Sequence, residues 1–96
     1  MIQSFGDKTT EDVFHGRKTA RANRIPTEIL SRLLRKLDVL NSAKTLKDLQ
    51  ALPGNALEEL KGEKKGWHSL RVNDQWRIVF VWTDGVASQV QLTDYH

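Results

Sequence analysis

The sequence predicts an α+β domain in which helices come first, an antiparallel sheet follows, and the helices cover only one face of that sheet. Three observations carry the prediction. In the first half, Ile29, Leu30, Leu33, Leu34, Leu37 and Leu40 recur at the spacing of one helix face. After Asn55 the apolar period changes from helical to alternating, and three runs read as strands. The two faces of those strands differ, one apolar and one semi-polar, as expected of a sheet covered on a single side.

From the N-terminus, residues 2–5 read as a short strand. Thr9 or Thr10 can cap a short helix ending near His15. Residues 16–24 are polar, basic and non-periodic, and read as a loop with the composition of a mobile segment. Pro26 suits the first turn of a helix, where a missing N–H costs nothing. The amphipathic helix that follows carries Arg32, Arg35 and Lys36 on its other side. Thr45 with Asp48 resembles a capping box and starts a short turn through Leu46 and Leu49. Pro53, Gly54 and Asn55 stop it.

The strands are expected at 67–72, 76–82 and 86–92. Their register follows from side chains. A two-residue turn at Asn73 and Asp74 sets Leu70 opposite Arg77. A three-residue loop from Asn73 to Gln75 sets Val72 opposite Trp76 and Leu70 opposite Ile78. Only the odd loop makes the apolar faces coincide. The other face then holds Trp67, Ser69, Arg71, Arg77, Val79 and Val81 and is expected to stay open. Asp84 and Gly85 supply the next hairpin turn.

The chain has 96 residues, enough for one domain spanning 1–96. It has no cysteine, which excludes disulfides and Cys-based zinc sites and fits a reducing cytoplasm. No apolar run approaches the roughly 20 residues of a membrane span. The first residues lack a basic segment followed by an apolar stretch, so a cytoplasmic protein without membrane attachment is expected. Net charge is +3 and the pI about 9.5. The cations are unevenly placed. Arg17, Lys18, Arg21 and Arg24 cluster with no acid between Val13 and Thr27, and Lys61, Lys64, Lys65, Arg71 and Arg77 form a second zone. Such zones suit a polyanion such as RNA, an acidic protein, or plain solvation.

Three features carry chemistry. The tripeptide Asp94, Tyr95 and His96 ends the chain with a carboxylate, a phenol and an imidazole. Imidazole titrates nearest neutrality and can give or take a proton, though chain ends also fray. Leu60, Lys61 and Gly62 lead into Glu63, Lys64, Lys65 and Gly66, where Lys61 can neutralise a phosphate oxygen or simply form a basic hairpin tip. Arg77 interrupts an apolar strand and points to the open face, offering a planar fork to phosphate or a charge against sheet association. His15 reads as a helix end and His68 as a hydrogen-bonded structural histidine. No phosphate-binding glycine loop or short metal-ligand spacing is present, so neither cofactor nor metal is called for.

These features occur in order along a sequence that resembles the HigB toxins of the RelE superfamily. The resemblance runs through Met1-Ile2-x-Ser4-Phe5, Leu37-Asp38-x-Leu40, Pro53-Gly54-Asn55, and Leu57-Glu58-x-Leu60-Lys61-Gly62. It continues through Ser69-x-Arg71-Val72-Asn73-Asp74-Gln75-Trp76-Arg77-Ile78 and closes on Asp94-Tyr95-His96. It implies a RelE-like fold, a compact antiparallel sheet with two or three helices on one face. It implies a type II toxin that cleaves mRNA on the ribosome, held in check by a helix-turn-helix, HigA-like antitoxin that alone contacts operator DNA. By position, Lys61, Arg77, Asp94, Tyr95 and His96 match residues implicated in cleavage. Lys64, Lys65, Trp67 and Arg71 are the further RNA-binding candidates. The pattern departs at Glu58, where some HigB toxins carry histidine. Two other readings fit less of the sequence. One is a RelE-fold RNA- or partner-binding protein without catalysis. The other is a DNA-binding regulator, which would need two helices of similar length around a tight turn.

Overall fold

The computed structural model describes residues 1–64 and 66–94. Three helices, α1 (Lys8–Phe14), α2 (Thr27–Ser42) and α3 (Leu46–Gln50), precede four strands, β1 (Glu58–Glu59), β2 (Trp67–Arg71), β3 (Trp76–Thr83) and β4 (Val86–Asp94). The strands form one antiparallel sheet in the order β1-β2-β3-β4. None of the helices is long and apolar enough to cross a membrane.

The core lies between α2 and the sheet. Leu33, Leu37 and Leu40 are fully buried and pack in one cluster with Leu70, Ile78 and Phe80. Each such side chain contributes about 1.5–3 kcal/mol by leaving water. Leu70 pairs with Ile78 and Arg71 with Arg77, which is the odd-loop register. The loop holds because the Asn73 carboxamide oxygen accepts from the backbone N–H groups of Gln75 and Trp76, both at 2.8 Å. Asp84 (φ 50°) and Gly85 (φ 79°) take the paired left-handed conformations of a tight hairpin turn. The capping box at α3 is complete: the Thr45 hydroxyl accepts from Asp48 N–H, and the Asp48 carboxylate accepts from Thr45 N–H.

The start of the chain departs from expectation. Residues 2–5 make two isolated parallel bridges to β4, Ile2 with Ala87 and Phe5 with Val90, and not a continuous strand. The cause is a bulge in β4, where the β3 pairing shifts register between Val79 and Val81 and Gln89 takes φ 53°. The Ser4 hydroxyl accepts the Gln89 N–H at 2.9 Å and so repairs the interrupted ladder. Gly6 passes so close that a Cβ there would lie 2.9 Å from the Gln89 carbonyl oxygen.

Helix α1 is capped by Asp7, whose side chain accepts from Thr10 N–H at 2.7 Å, and not by Thr9 or Thr10. Thr10 turns inward, and its hydroxyl accepts from Leu92 N–H at 3.0 Å, tying α1 to β4. Segment 16–24 is not a free loop. Asp12, only 2 % exposed, accepts from Thr19 Oγ1 (2.8 Å) and Arg21 Nε (2.6 Å), with Arg17 Nη1 at 3.4 Å. A 3-10 turn at Ala22–Arg24 then leads to Pro26, which stands just ahead of α2 as its cap.

Candidate nuclease face

Strand alternation divides the sheet. Leu70, Ile78 and Phe80 face the helices, and Ser69, Arg77 and Val79 face the other way. Arg77 lies on the expected face, but that face is less open than expected. Arg77 is 9 % exposed, Ser69 is fully buried, and Val79 is buried too. The arginine does not stand up into solvent. It lies down across β2, where Nε donates to Ser69 Oγ at 2.9 Å and Nη2 donates to the carbonyl oxygens of Ala56 (2.5 Å) and Ser69 (3.3 Å). Nor is it an edge charge, since β3 is an interior strand.

The clamp has a local backbone cause. Ala56 has φ 43°, a conformation that non-glycine residues rarely adopt, and from there its carbonyl meets the guanidinium. Just before it, Asn55 is fixed on several sides. Its carbonyl oxygen accepts from Arg71 N–H, its amide donates to the Leu49 carbonyl, and its side-chain oxygen accepts from Lys36 Nζ. The Pro53-Gly54-Asn55 stop therefore also positions the arginine's support. Charge-assisted bonds of this kind are about twice as strong as neutral ones and fix the planar fork in one orientation.

Strand β4 runs back antiparallel to β3, so Thr93 pairs with Arg77 and Asp94 with Trp76. The last described residue thus adjoins the start of β3, and Gln75 Nε2 donates to the Asp94 carboxylate at 3.2 Å. Tyr95 and His96 lie outside the described residues, as do Lys65 and the side chain of Lys64. Lys61 is exposed and follows the bond from Leu60 N–H to the Trp67 carbonyl, at the other end of β2 from Arg71. Trp67 pairs with Val81 and Arg71 with Arg77. Lys61 and the Arg77 backbone are therefore separated by about four residues along β2, roughly 13 Å at about 3.3 Å each, and also by two strand spacings across the sheet. The Arg77 head shortens that gap by reaching back to Ser69. The arrangement is a track along β2 more than a single point.

Glu58 pairs with Ser69, which places this exposed carboxylate on the arginine's side of the sheet. Trp67 is half-buried on the same side, and Arg71 is ion-paired to Asp74. Sequence reasoning placed Ser69 on this face but missed its bond to Arg77, and it missed the Ala56 carbonyl. His68 was expected to be hydrogen-bonded. It is buried and stacked on Phe80 (centroids 6.0 Å apart), and its Nδ1 has no hydrogen-bond partner among the described residues. Among these residues no group of three or more acidic, cysteine or histidine side chains is arranged to hold a metal ion.

Residues 3–96 match the family of RelE-like toxins of the type II toxin-antitoxin system HigB. Toxin HigB-1 of Vibrio cholerae is 44 % identical over 92 residues, covering 96 % of this chain and 95 % of that protein. Endoribonuclease HigB of Proteus vulgaris is 29 % identical over 96 residues, the full length of both. Among solved structures, the YoeB-YefM complex from Staphylococcus aureus superposes with a TM-score of 0.63 at 19 % identity, covering 100 % of this chain and 95 % of that one. YafQ from E. coli gives 0.57 at 18 %, covering 98 % and 91 %. The two structures share the fold, and the sequence match over residues 3–96 shows that the chain belongs to the HigB family of RelE-like type II toxins.

Proposed function

We propose that this toxin is an endoribonuclease that cuts mRNA on the ribosome and so arrests translation and growth. The observation that carries the reading is Arg77, whose backbone pairs with Thr93 next to the C-terminal residues and whose guanidinium is held across β2 by Ser69 and Ala56. RNA carries its own nucleophile. The ribose 2′ oxygen attacks the adjacent phosphorus, a base takes its proton, and the bond to the 5′ oxygen breaks as an acid protonates it. The products are a 2′,3′-cyclic phosphate and a free 5′ hydroxyl. Arg77 stabilises the added negative charge of the phosphorane, and Lys61, further along β2, neutralises a neighbouring phosphate of the same strand. Asp94 and His96 are the proposed proton carriers, with Asp94 the favoured base; Asp94 pairs with Trp76 and so acts from the strand end, not from the arginine's face. Tyr95 orients the nucleotide by stacking or a hydrogen bond. Trp67 supplies a further stacking surface, and Arg71, Lys64 and Lys65 supply charge for the RNA backbone.

This set of residues is sparse, and the ribosome is the partner that positions the message against it. The partner that silences the toxin is a helix-turn-helix, HigA-like antitoxin, through which alone the pair contacts operator DNA. The test is cleavage by purified protein of one mRNA, bound to ribosomes or naked, with the ends of the fragments analysed. Cuts in ribosome-bound message ending in cyclic phosphate support the proposal. Equal or better cutting of naked RNA overturns the ribosome requirement, and no cutting in either overturns the enzyme.

A further inference from the structure

We propose that the flank of α2 facing α3 and the following loop is a docking groove for an acidic, amphipathic segment of the antitoxin. The inference rests on the toxin–antitoxin reading above and adds the surface and the chemistry of its partner. Two adjoining hollows line this flank. One, of about 310 Å³, is bounded by Arg32, Arg35, Lys36, Val39, Leu52 and Pro53 with Asn55 at its floor. The other, of about 390 Å³, shares Arg35, Val39 and Leu52 and continues to Ala43. From Arg32 to Ala43 the helix rises about 17 Å at about 1.5 Å per residue, enough for three turns of a partner helix.

The charge in this groove is one-sided at its Arg32 end. Lys36 is half-buried, and its pKa is lowered by burial and by the charges of Arg32, Arg35 and Arg71. Its ammonium donates to the neutral carboxamide of Asn55, not to a carboxylate. Arg32, Arg35 and Lys36 line this end with no acid among its lining residues, and three such cations favour a bound anion. At the Ala43 end stand two acids, Asp38 and Asp48, and Asp48 is already engaged by the N–H groups of Lys44 and Thr45.

The walls decide between a protein and RNA as the occupant. Leu52, a large apolar side chain, is 44 % exposed. Val39, Leu52, Pro53 and Ala43 line the path between the hollows. A sugar–phosphate chain gains little from burying them. A peptide segment with carboxylates over Arg32 and Arg35 and apolar side chains over Val39 and Leu52 satisfies both.

The experiment measures the dissociation constant of full-length toxin for its own purified antitoxin. The variants are Arg35→Glu, Leu52→Asp and, on the separate basic segment, Lys18→Glu. Growth arrest by each toxin expressed alone is scored in parallel. The expected result is at least a 30-fold loss of antitoxin affinity for Arg35→Glu and Leu52→Asp, with Lys18→Glu within threefold of wild type and growth arrest intact in all three. If Leu52→Asp fails to fold by circular dichroism, Arg35→Glu alone decides. Affinity within threefold of wild type for the groove variants overturns the proposal, as does a loss confined to Lys18→Glu. Retained affinity with lost growth arrest assigns the groove to RNA and also overturns it. A wild-type chain that binds antitoxin but does not arrest growth refutes the nuclease reading and leaves the affinity comparison to judge the groove.

Discussion

Replacing Ser69 with alanine tests whether Arg77 is held as the geometry indicates. The Ser69 hydroxyl is fully buried and accepts from Arg77 Nε at 2.9 Å. Alanine takes that acceptor from a buried cation, and a buried donor that loses its partner costs about 1–3 kcal/mol. The two bonds from Nη2 to the Ala56 and Ser69 carbonyls survive and keep the head roughly in place, so the lower half of that range applies, about 1.5 kcal/mol. In a domain of this size 1 kcal/mol moves the melting temperature by about 4–8 °C, so a fall of about 6–12 °C is expected in circular dichroism melts. A double-mutant cycle isolates the bond. In an Arg77→Met background the same Ser69→Ala step should cost under about 0.5 kcal/mol, because the hydroxyl no longer serves a guanidinium. The loosened arginine should also slow ribosome-dependent cleavage about tenfold, since small misplacements of a charge-stabilising group are costly. Equal cost in both backgrounds, or a melting temperature within about 2 °C of wild type, refutes the clamp.

Gly6→Ala places a methyl 2.9 Å from the Gln89 carbonyl, and backbone must shift to admit it. A loss of about 1–3 kcal/mol is expected in urea unfolding, and an unchanged midpoint would show that the N-terminal segment is not docked on β4. Asp12 is held below the usual carboxylate range, first by the Thr19 hydroxyl and then by Arg21 and Arg17, against the opposing effect of burial. Its contribution is therefore present above the unfolded carboxylate value near 3.9 and is lost as pH falls through the lower folded value. Asp12→Asn should melt earlier than wild type at pH 7 and lose less on acidification below about pH 4. Parallel acid limbs for the two proteins would contradict the assignment.

How far the sequence can be read depends on what each feature is made of. The β2–β3 register was legible because a one-residue slip would have turned Leu70 and Val72 out of the core, so a single loop length fitted. Strand β1 was not, because Glu58 and Glu59 have neither the alternation nor the propensity of a strand and exist as one only through pairing with Ser69 and His68. The Asp12 cluster was missed because its partners stand five, seven and nine residues away, a spacing that belongs to no helix or strand. The acid that answers the basic segment lies one residue before Val13, just outside the stretch that contains none. The face of Arg77 was legible from alternation. Its burial was not, because the clamp comes from an Ala56 carbonyl at positive φ, which nothing in an alanine announces.

The most direct test of the nuclease assignment is made in cells. The wild-type chain, Arg77→Ala and His96→Gln are expressed under tight control without antitoxin, and the 5′ ends of cellular mRNA are mapped within minutes of induction. The assignment predicts new cuts within translated reading frames and growth arrest for the wild type, and neither for the two variants at equal protein level. Full toxicity and an unchanged cut pattern in both variants would show that the chemistry resides elsewhere on the molecule.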